Sequence, residues 1–180
     1  MKLVILDRDG VINRDSATFI KNPNEWIPIP GSLEAIALLN QHGYRVAVAT
    51  NQSGIARGYF DMAILNAIHD KMHKALAQVG GRIDAVFYCP HAADDHCDCR
   101  KPNTGMIEEI GQRFNVDLSK VPAVGDALRD LQAFAKAGCQ PYLVRTGKGE
   151  ETYQSAALPA GTLVVTDLEA AVQLILAGDK

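Results

Sequence analysis

Six short apolar runs alternating with helix-period segments confine this chain to a parallel sheet with crossover helices. The runs fall at residues 3–6, 44–49, 85–88, 121–124, 141–144 and 163–165, and each is rich in Val, Ile, Leu or Tyr. Helices are predicted between them over 31–41, 61–79, 104–114, 127–137 and 167–177. Pro30 precedes the first helix, Thr104 and Asp167 are expected N-caps, and Gly43, Gly80 and Gly138 fall where helices should stop. The expected fold class is α/β, a Rossmann-like parallel sheet with helices on both faces. Two stretches interrupt the alternation. Residues 13–29 are polar and proline-punctuated and read as a substrate-facing loop after the first strand, while residues 89–103 are dominated by metal-ligand and charged types. Loops of that length in a compact domain are usually functional.

At 180 residues the chain suits a single domain over 1–180, large enough to bury a core without disulfides. A net charge of -3 gives no electrostatic case for nucleic acid or an anionic membrane as partner. No apolar stretch approaches a membrane span of about 20 residues. A first strand beginning at Lys2 leaves no room for a signal peptide, so the expectation is a cytoplasmic protein; a monomer is also expected.

The first strand runs into paired carboxylates, Asp7-Arg8-Asp9-Gly10. At the carboxyl end of a buried strand, one carboxylate can attack phosphorus and the other can manage the leaving-group proton. A magnesium ion can offset the charge of both and of the phosphate. Asp and Gly are also ordinary turn residues, so the dyad gains meaning from the polar groups at the ends of the later strands. After the second comes Thr50-Asn51-Gln52-Ser53-Gly54, whose hydroxyl, amide and backbone donors can hold phosphate oxygens, or simply form a turn. After the third comes Arg100-Lys101, a fork and a point charge for oxyanions. After the fourth comes Gly125-Asp126, a hard oxygen ligand for magnesium, and then Asp130, which orients the site or caps its helix.

Cys89-Pro90-His91, then five residues, then Cys97-Asp98-Cys99, is a second signal. In a reducing compartment, three thiolates and an imidazole form a closed tetrahedral zinc set with no position for water, so the metal is structural. Such a site would pin the loop that delivers Arg100 and Lys101. His96 is a poorer substitute ligand, and Cys139 is read as packing. His69 and His73 have helical metal-ligand spacing but are expected on a solvated face. Trp26 either covers the substrate or staples its loop to the core.

Together, Asp7-Arg8-Asp9-Gly10, Thr50-Asn51, Lys101 and Gly125-Asp126 resemble the four motifs of the haloacid dehalogenase superfamily of phosphohydrolases, over nearly the whole chain. The resemblance implies that Asp7 is the nucleophile, Asp9 the general acid and later base, and that Thr50 and Lys101 steady the transferring phosphoryl group. It implies magnesium held by Asp7, the Asp9 main-chain carbonyl and Asp126. The zinc loop and the minimal cap point within that superfamily to small bacterial phosphatases of sugar or amino-alcohol phosphates. The continuation Ser53-Gly54-Ile55-Ala56-Arg57-Gly58 favours a sugar bisphosphate, whereas the five-residue spacer before Cys97 is as short as in the amino-alcohol enzymes. The substrate-binding set expected on this basis is Arg8, Asp15, Ser16, Ala17, Thr18, Asn51, Gln52, Ser53, Arg100 and Lys101. A non-catalytic zinc-stabilised phospholigand-binding protein would have lost the nucleophile, the acid or the lysine, and all three are present.

Overall fold

The computed structural model describes residues 1–155 and 157–179. Strands β1 (Lys2–Leu6), β2 (Tyr44–Asn51), β3 (Ala85–Cys89), β4 (Pro122–Gly125), β5 (Gln140–Val144) and β6 (Leu163–Val165) form a parallel sheet in the order β3-β2-β1-β4-β5-β6. Each predicted strand is present within two residues of its expected ends. Alternation along the strands divides the core. Val4, Leu6, Val46, Val48 and Val144 pack against Ile36 of α1 (Ser32–Gln41), Ile68 and Met72 of α2 (Met62–Gln78) and Val172 of α6 (Leu168–Ala177). Leu3, Ile5, Ala47, Ala49 and Ala123 face the other way, onto Ile107 and Ile110 of α3 (Gly105–Phe114) and Phe134 of α4 (Leu128–Lys136). Each such large side chain contributes about 1.5–3 kcal/mol by burial.

The five predicted helices lie within one residue of their expected bounds. A sixth, α5 (Gly149–Ser155), was not foreseen, because its sequence carries no apolar stripe. Asp167 caps α6 through the Ala170 amide as expected, and Asp61 caps α2 in the same way. Thr104 does not cap α3: its backbone is already helical (φ -96°, ψ -5°), and its hydroxyl donates to Glu108 instead. Trp26 is buried, so it staples its loop to the core. Lys71 of α2 secures that loop by donating to the Pro23 and Trp26 carbonyls at 2.7 and 2.9 Å. No helix among the described residues is long and apolar enough to cross a membrane.

Leu6 stands opposite Val48 on one side and Val124 on the other, so β1 and β4 end within one residue of each other while β2 runs three residues further, to Asn51. The order reverses between β1 and β4, the position where open α/β sheets leave a crevice beyond their carboxyl ends.

Candidate active site

The Asp7 amide donates to the Val124 carbonyl at 2.9 Å, extending the β1–β4 ladder by one residue and fixing the carboxylate over the crevice. Lys101 meets it there. Its Nζ lies 2.9 Å from Asp7 Oδ1, 2.8 Å from Asp130 Oδ1 and 2.7 Å from the Ala49 carbonyl, with the side chain 1% exposed. The Asn51 side chain holds the same residue by its backbone, accepting from the Lys101 amide and donating to its carbonyl, both at 3.0 Å. Asp130 Oδ2 accepts from the Asp126 and Ala127 amides at the start of α4 at 3.3 and 3.1 Å, so Asp130 both caps that helix and anchors the lysine. Gly125 allows this approach, since a Cβ there would collide with Asp130. Burial, followed by the Asp130 charge, pushes the Asp7 carboxyl up to about 7 even though Lys101 acts in the opposite direction.

Asp126 is buried beside them. Its Oδ2 accepts from the Lys148 amide at 2.8 Å, and its carbonyl accepts from Thr152 of α5 at 2.9 Å. Gly10, at φ +82°, packs so closely on its carboxylate that a Cβ would overlap it, as would one on Gly147. Carboxylate oxygens of Asp7, Asp126 and Asp130 lie within 4.8 Å of one another. Burial and the charges of Asp130 and Asp7 raise the Asp126 carboxyl well above its ordinary range. Three acids against one ammonium leave an excess of buried negative charge on hard oxygens, which suits magnesium.

Asp9 is oriented from behind. Its Oδ1 accepts from Arg8 Nε at 3.0 Å, Arg8 Nη2 at 2.8 Å and Asn13 Nδ2 at 2.9 Å, while Oδ2 accepts only a 3.3 Å contact from Gln52 among the described residues. Burial opposes its charge, but Arg8, Asn13 and Gln52 outweigh it and hold the carboxyl below its usual range. Gln52 also donates to Thr50 Oγ1 at 2.9 Å. Arg8 is fully buried, and its remaining terminal nitrogen lies 3.1 Å from His69 Nε2. His69 is only 8% exposed, which corrects the expectation of a solvated helical face.

A cavity of about 240 Å³ opens above these groups. Of the residues expected in the site, Asp7, Asp9, Asp15, Ser16, Ala17, Asn51, Ser53, Arg100, Lys101 and Asp126 line it. Arg8, Thr18, Thr50 and Gln52 do not. Arg8, Thr50 and Gln52 are buried beneath the lining, and Thr18 is turned to its own loop, where its amide meets Ser16 Oγ at 3.2 Å. Phe19, Arg57, Arg129 and Lys148 line the cavity without having been foreseen as site residues. A signal was available for two of the cations: Arg129 follows β4, the strand end that carries Asp126 and Asp130, and Lys148 follows β5, its neighbour in the sheet. Phe19 is unusual for a bulky residue in having φ +67°; its ring lies 5.3 Å from that of Tyr59 and under the Arg57 guanidinium at 5.9 Å.

Beyond β3, Cys89, His91, Cys97 and Cys99 bring their ligand atoms within 4.8 Å of one another. Cys89 Sγ is 2.9 Å from Cys99 Sγ, 3.6 Å from Cys97 Sγ and 3.5 Å from His91 Nδ1, and all three thiols are free. Three sulfurs and one imidazole nitrogen converging without a disulfide fit zinc. Arg100, next in the chain, donates to the His91 carbonyl at 3.4 Å, so this cluster and the cavity share a wall. Cys139 packs apart in the core.

The family model described as HAD-hyrolase-like matches residues 98–171. The D-glycero-beta-D-manno-heptose-1,7-bisphosphate 7-phosphatase of Bordetella bronchiseptica is 61% identical over 176 residues, covering 98% of each chain. The enzyme of that name from Pseudomonas aeruginosa is 55% identical over 174 residues, 97% of each. A crystal structure of the B. bronchiseptica D,D-heptose 1,7-bisphosphate phosphatase, complexed with magnesium and phosphate, superposes with a TM-score of 0.97 over 99% of both chains at 61% identity. The chain belongs to the D-glycero-D-manno-heptose-1,7-bisphosphate 7-phosphatase family of the haloacid dehalogenase superfamily.

Proposed function

We propose that this chain is a magnesium-dependent phosphatase that hydrolyses the 7-phosphate of D-glycero-D-manno-heptose 1,7-bisphosphate and leaves heptose 1-phosphate. The observation that carries the reading is that Asp7, Asp9 and Lys101 line one cavity, with Lys101 hydrogen-bonded to Asp7. An Asp7 carboxylate oxygen attacks phosphorus in line, an aspartyl phosphate forms, and the bond to the C7 oxygen breaks as Asp9 gives that oxygen its proton. Asp9, now a carboxylate, takes a proton from water as the water attacks the phosphoryl group; inorganic phosphate leaves and Asp7 is restored. Lys101 steadies the phosphoryl oxygens, while Thr50, buried beneath the lining, holds Gln52 in place behind them. Magnesium, when held by Asp7, Asp126 and the Asp9 carbonyl, supplies positive charge against the transferring group. Cys89, His91, Cys97 and Cys99 would hold zinc, which would cross-link the loop that carries Arg100 and Lys101.

The cavity supports a bisphosphate. Beyond Lys101 it presents Arg57, Arg100, Arg129 and Lys148, more cationic capacity than one phosphate uses. Histidinol phosphate, the competitor suggested by the five-residue spacer, carries its own ammonium, which these cations would repel. Such an activity serves nucleotide-activated heptose and lipopolysaccharide core synthesis, carried out in the cytoplasm by one domain over residues 1–180, as a monomer. A side-by-side comparison of heptose bisphosphate and histidinol phosphate tests the substrate: one phosphate released per bisphosphate and a higher kcat/KM for the sugar are expected. Preference for histidinol phosphate overturns the assignment, and full turnover by Asp7→Asn overturns the mechanism.

A further inference from the structure

Arg8 is a cation with no measurable exposure, placed where the cavity does not reach it. Burying a guanidinium costs several kcal/mol unless its donors are engaged, and the engagement here is directional. Nε and Nη2 form a fork on Asp9 Oδ1, and Nη1 reaches His69 Nε2 at 3.1 Å. A guanidinium only donates. The imidazole nitrogen facing it must therefore accept, which makes His69 a neutral ring with its proton on Nδ1. Its environment agrees: burial, then the Arg8 charge, pushes His69 down to about 3. His69 is carried on α2 between Ile68 and Met72 in the hydrophobic core, so its position is fixed by packing.

We propose that His69 is a positioning residue which, through Arg8, locks the Asp9 carboxyl group so that Oδ2, the oxygen that carries the proton in the first step, is presented to the leaving-group oxygen. Oδ1 is saturated by Arg8 and Asn13, and Oδ2 is left with the single long Gln52 contact. Without an acceptor at His69, the third corner of the guanidinium is unanchored. The fork can then rotate, and the carboxylate with it. The inference rests on the reading of Asp9 as the proton donor in the first step.

The test compares two phosphoryl donors. An alkyl phosphate such as β-glycerol phosphate or the heptose bisphosphate needs its leaving oxygen protonated, whereas p-nitrophenolate departs without a proton. In His69→Leu, kcat on the alkyl phosphate should fall roughly tenfold or more, with KM within about twofold. The pre-steady-state burst of p-nitrophenolate, which reports phosphoenzyme formation alone, should keep its wild-type rate. His69→Gln, whose amide oxygen can accept from Arg8, should recover most of the alkyl-phosphate rate. Arg8→Lys, which keeps the charge and loses the fork, should reproduce the selective loss, and it serves in place of a His69→Leu protein that does not fold. Wild-type kcat in the variants, an equal loss on both substrates, or no recovery with Gln overturns the proposal. Failure of the substrate reading looks different: the wild-type protein turns over other alkyl phosphates but not the heptose bisphosphate.

Discussion

Lys101 Nζ lies 2.9 Å from Asp7 Oδ1 with both side chains shut away from solvent, and the same nitrogen is 2.8 Å from Asp130. One buried ammonium therefore holds the proposed nucleophile to the first turn of α4. Lys101→Met should cost about 10²–10³ in kcat through lost charge stabilisation. It should also cost about 3–5 kcal/mol of stability, since it strands two buried carboxylates. Urea denaturation and phosphate release measure the two effects. Wild-type stability in this variant would show that the ammonium is not what balances those carboxylates.

Gly10 is the tightest constraint on the carboxylate of Asp126, the proposed magnesium ligand, because its φ of +82° and that carboxylate together leave no room for a Cβ. Gly10→Ala should displace Asp126 and weaken magnesium binding by roughly tenfold, with about 1 kcal/mol or more of stability lost to the backbone alone. Calorimetric titration with magnesium checks it, and unchanged affinity would detach Gly10 from the metal position.

The acids and the lysine were legible because each comes after an apolar run, and a parallel sheet brings strand ends together whatever the loops do. Arg8 departs from its expected role for a physical reason: a charge beside an active carboxylate looks like a substrate contact, but here Asp9 and His69 compensate its burial. The clue to His69 lay in helical spacing, since Leu65, His69, Met72 and Leu76 form one buried stripe of α2. The polarity of the imidazole masks that signal, because a neutral ring with one accepting nitrogen can be buried where a charged one cannot. Helix α5 left no such trace: it is short and held largely by polar contacts, such as that of Thr152 to the Asp126 carbonyl.

The two metals should separate by experiment. Stripping zinc with a strong chelator should lower the melting temperature and abolish activity together, because the Cys89–Cys99 cluster fastens the segment bearing Arg100 and Lys101. Removing magnesium alone should stop turnover and leave the melting temperature within a few degrees. A chelated protein with unchanged thermal stability would argue against a structural zinc.

A buried neutral histidine also leaves a pH signature. His69 titrates near 6.5 in the unfolded chain and is pushed down to about 3 when folded, facing Arg8, His73 and Asp9. Between these values the unfolded state binds a proton that the native state does not. Stability is therefore unaffected above about pH 6.5 and is lost as pH falls toward 3, with a slope of up to about 1.4 kcal/mol per pH unit from this group. Denaturation of wild type and His69→Gln across pH 4–7 should show the variant losing less on acidification. Parallel curves would mean that His69 is not held neutral.

Substrate recognition should separate from chemistry at the cavity rim. Arg57 lies over Phe19, Arg129 has a buried Nε with no hydrogen-bond partner among the described residues, and both line the cavity, whereas Lys148 is already 3.6 Å from Asp15. The two arginines are thus the cations freest to meet a distal phosphate. A charge-assisted hydrogen bond contributes about 1.5–3 kcal/mol, so Arg57→Ala and Arg129→Ala should each raise KM for the heptose bisphosphate roughly tenfold or more. The kcat/KM for p-nitrophenyl phosphate, which has no distal anion, should stay within about twofold. An equal loss on both substrates would instead place that arginine on the transferring phosphoryl group. No loss on either would leave the surplus of positive charge without a role in binding a second phosphate.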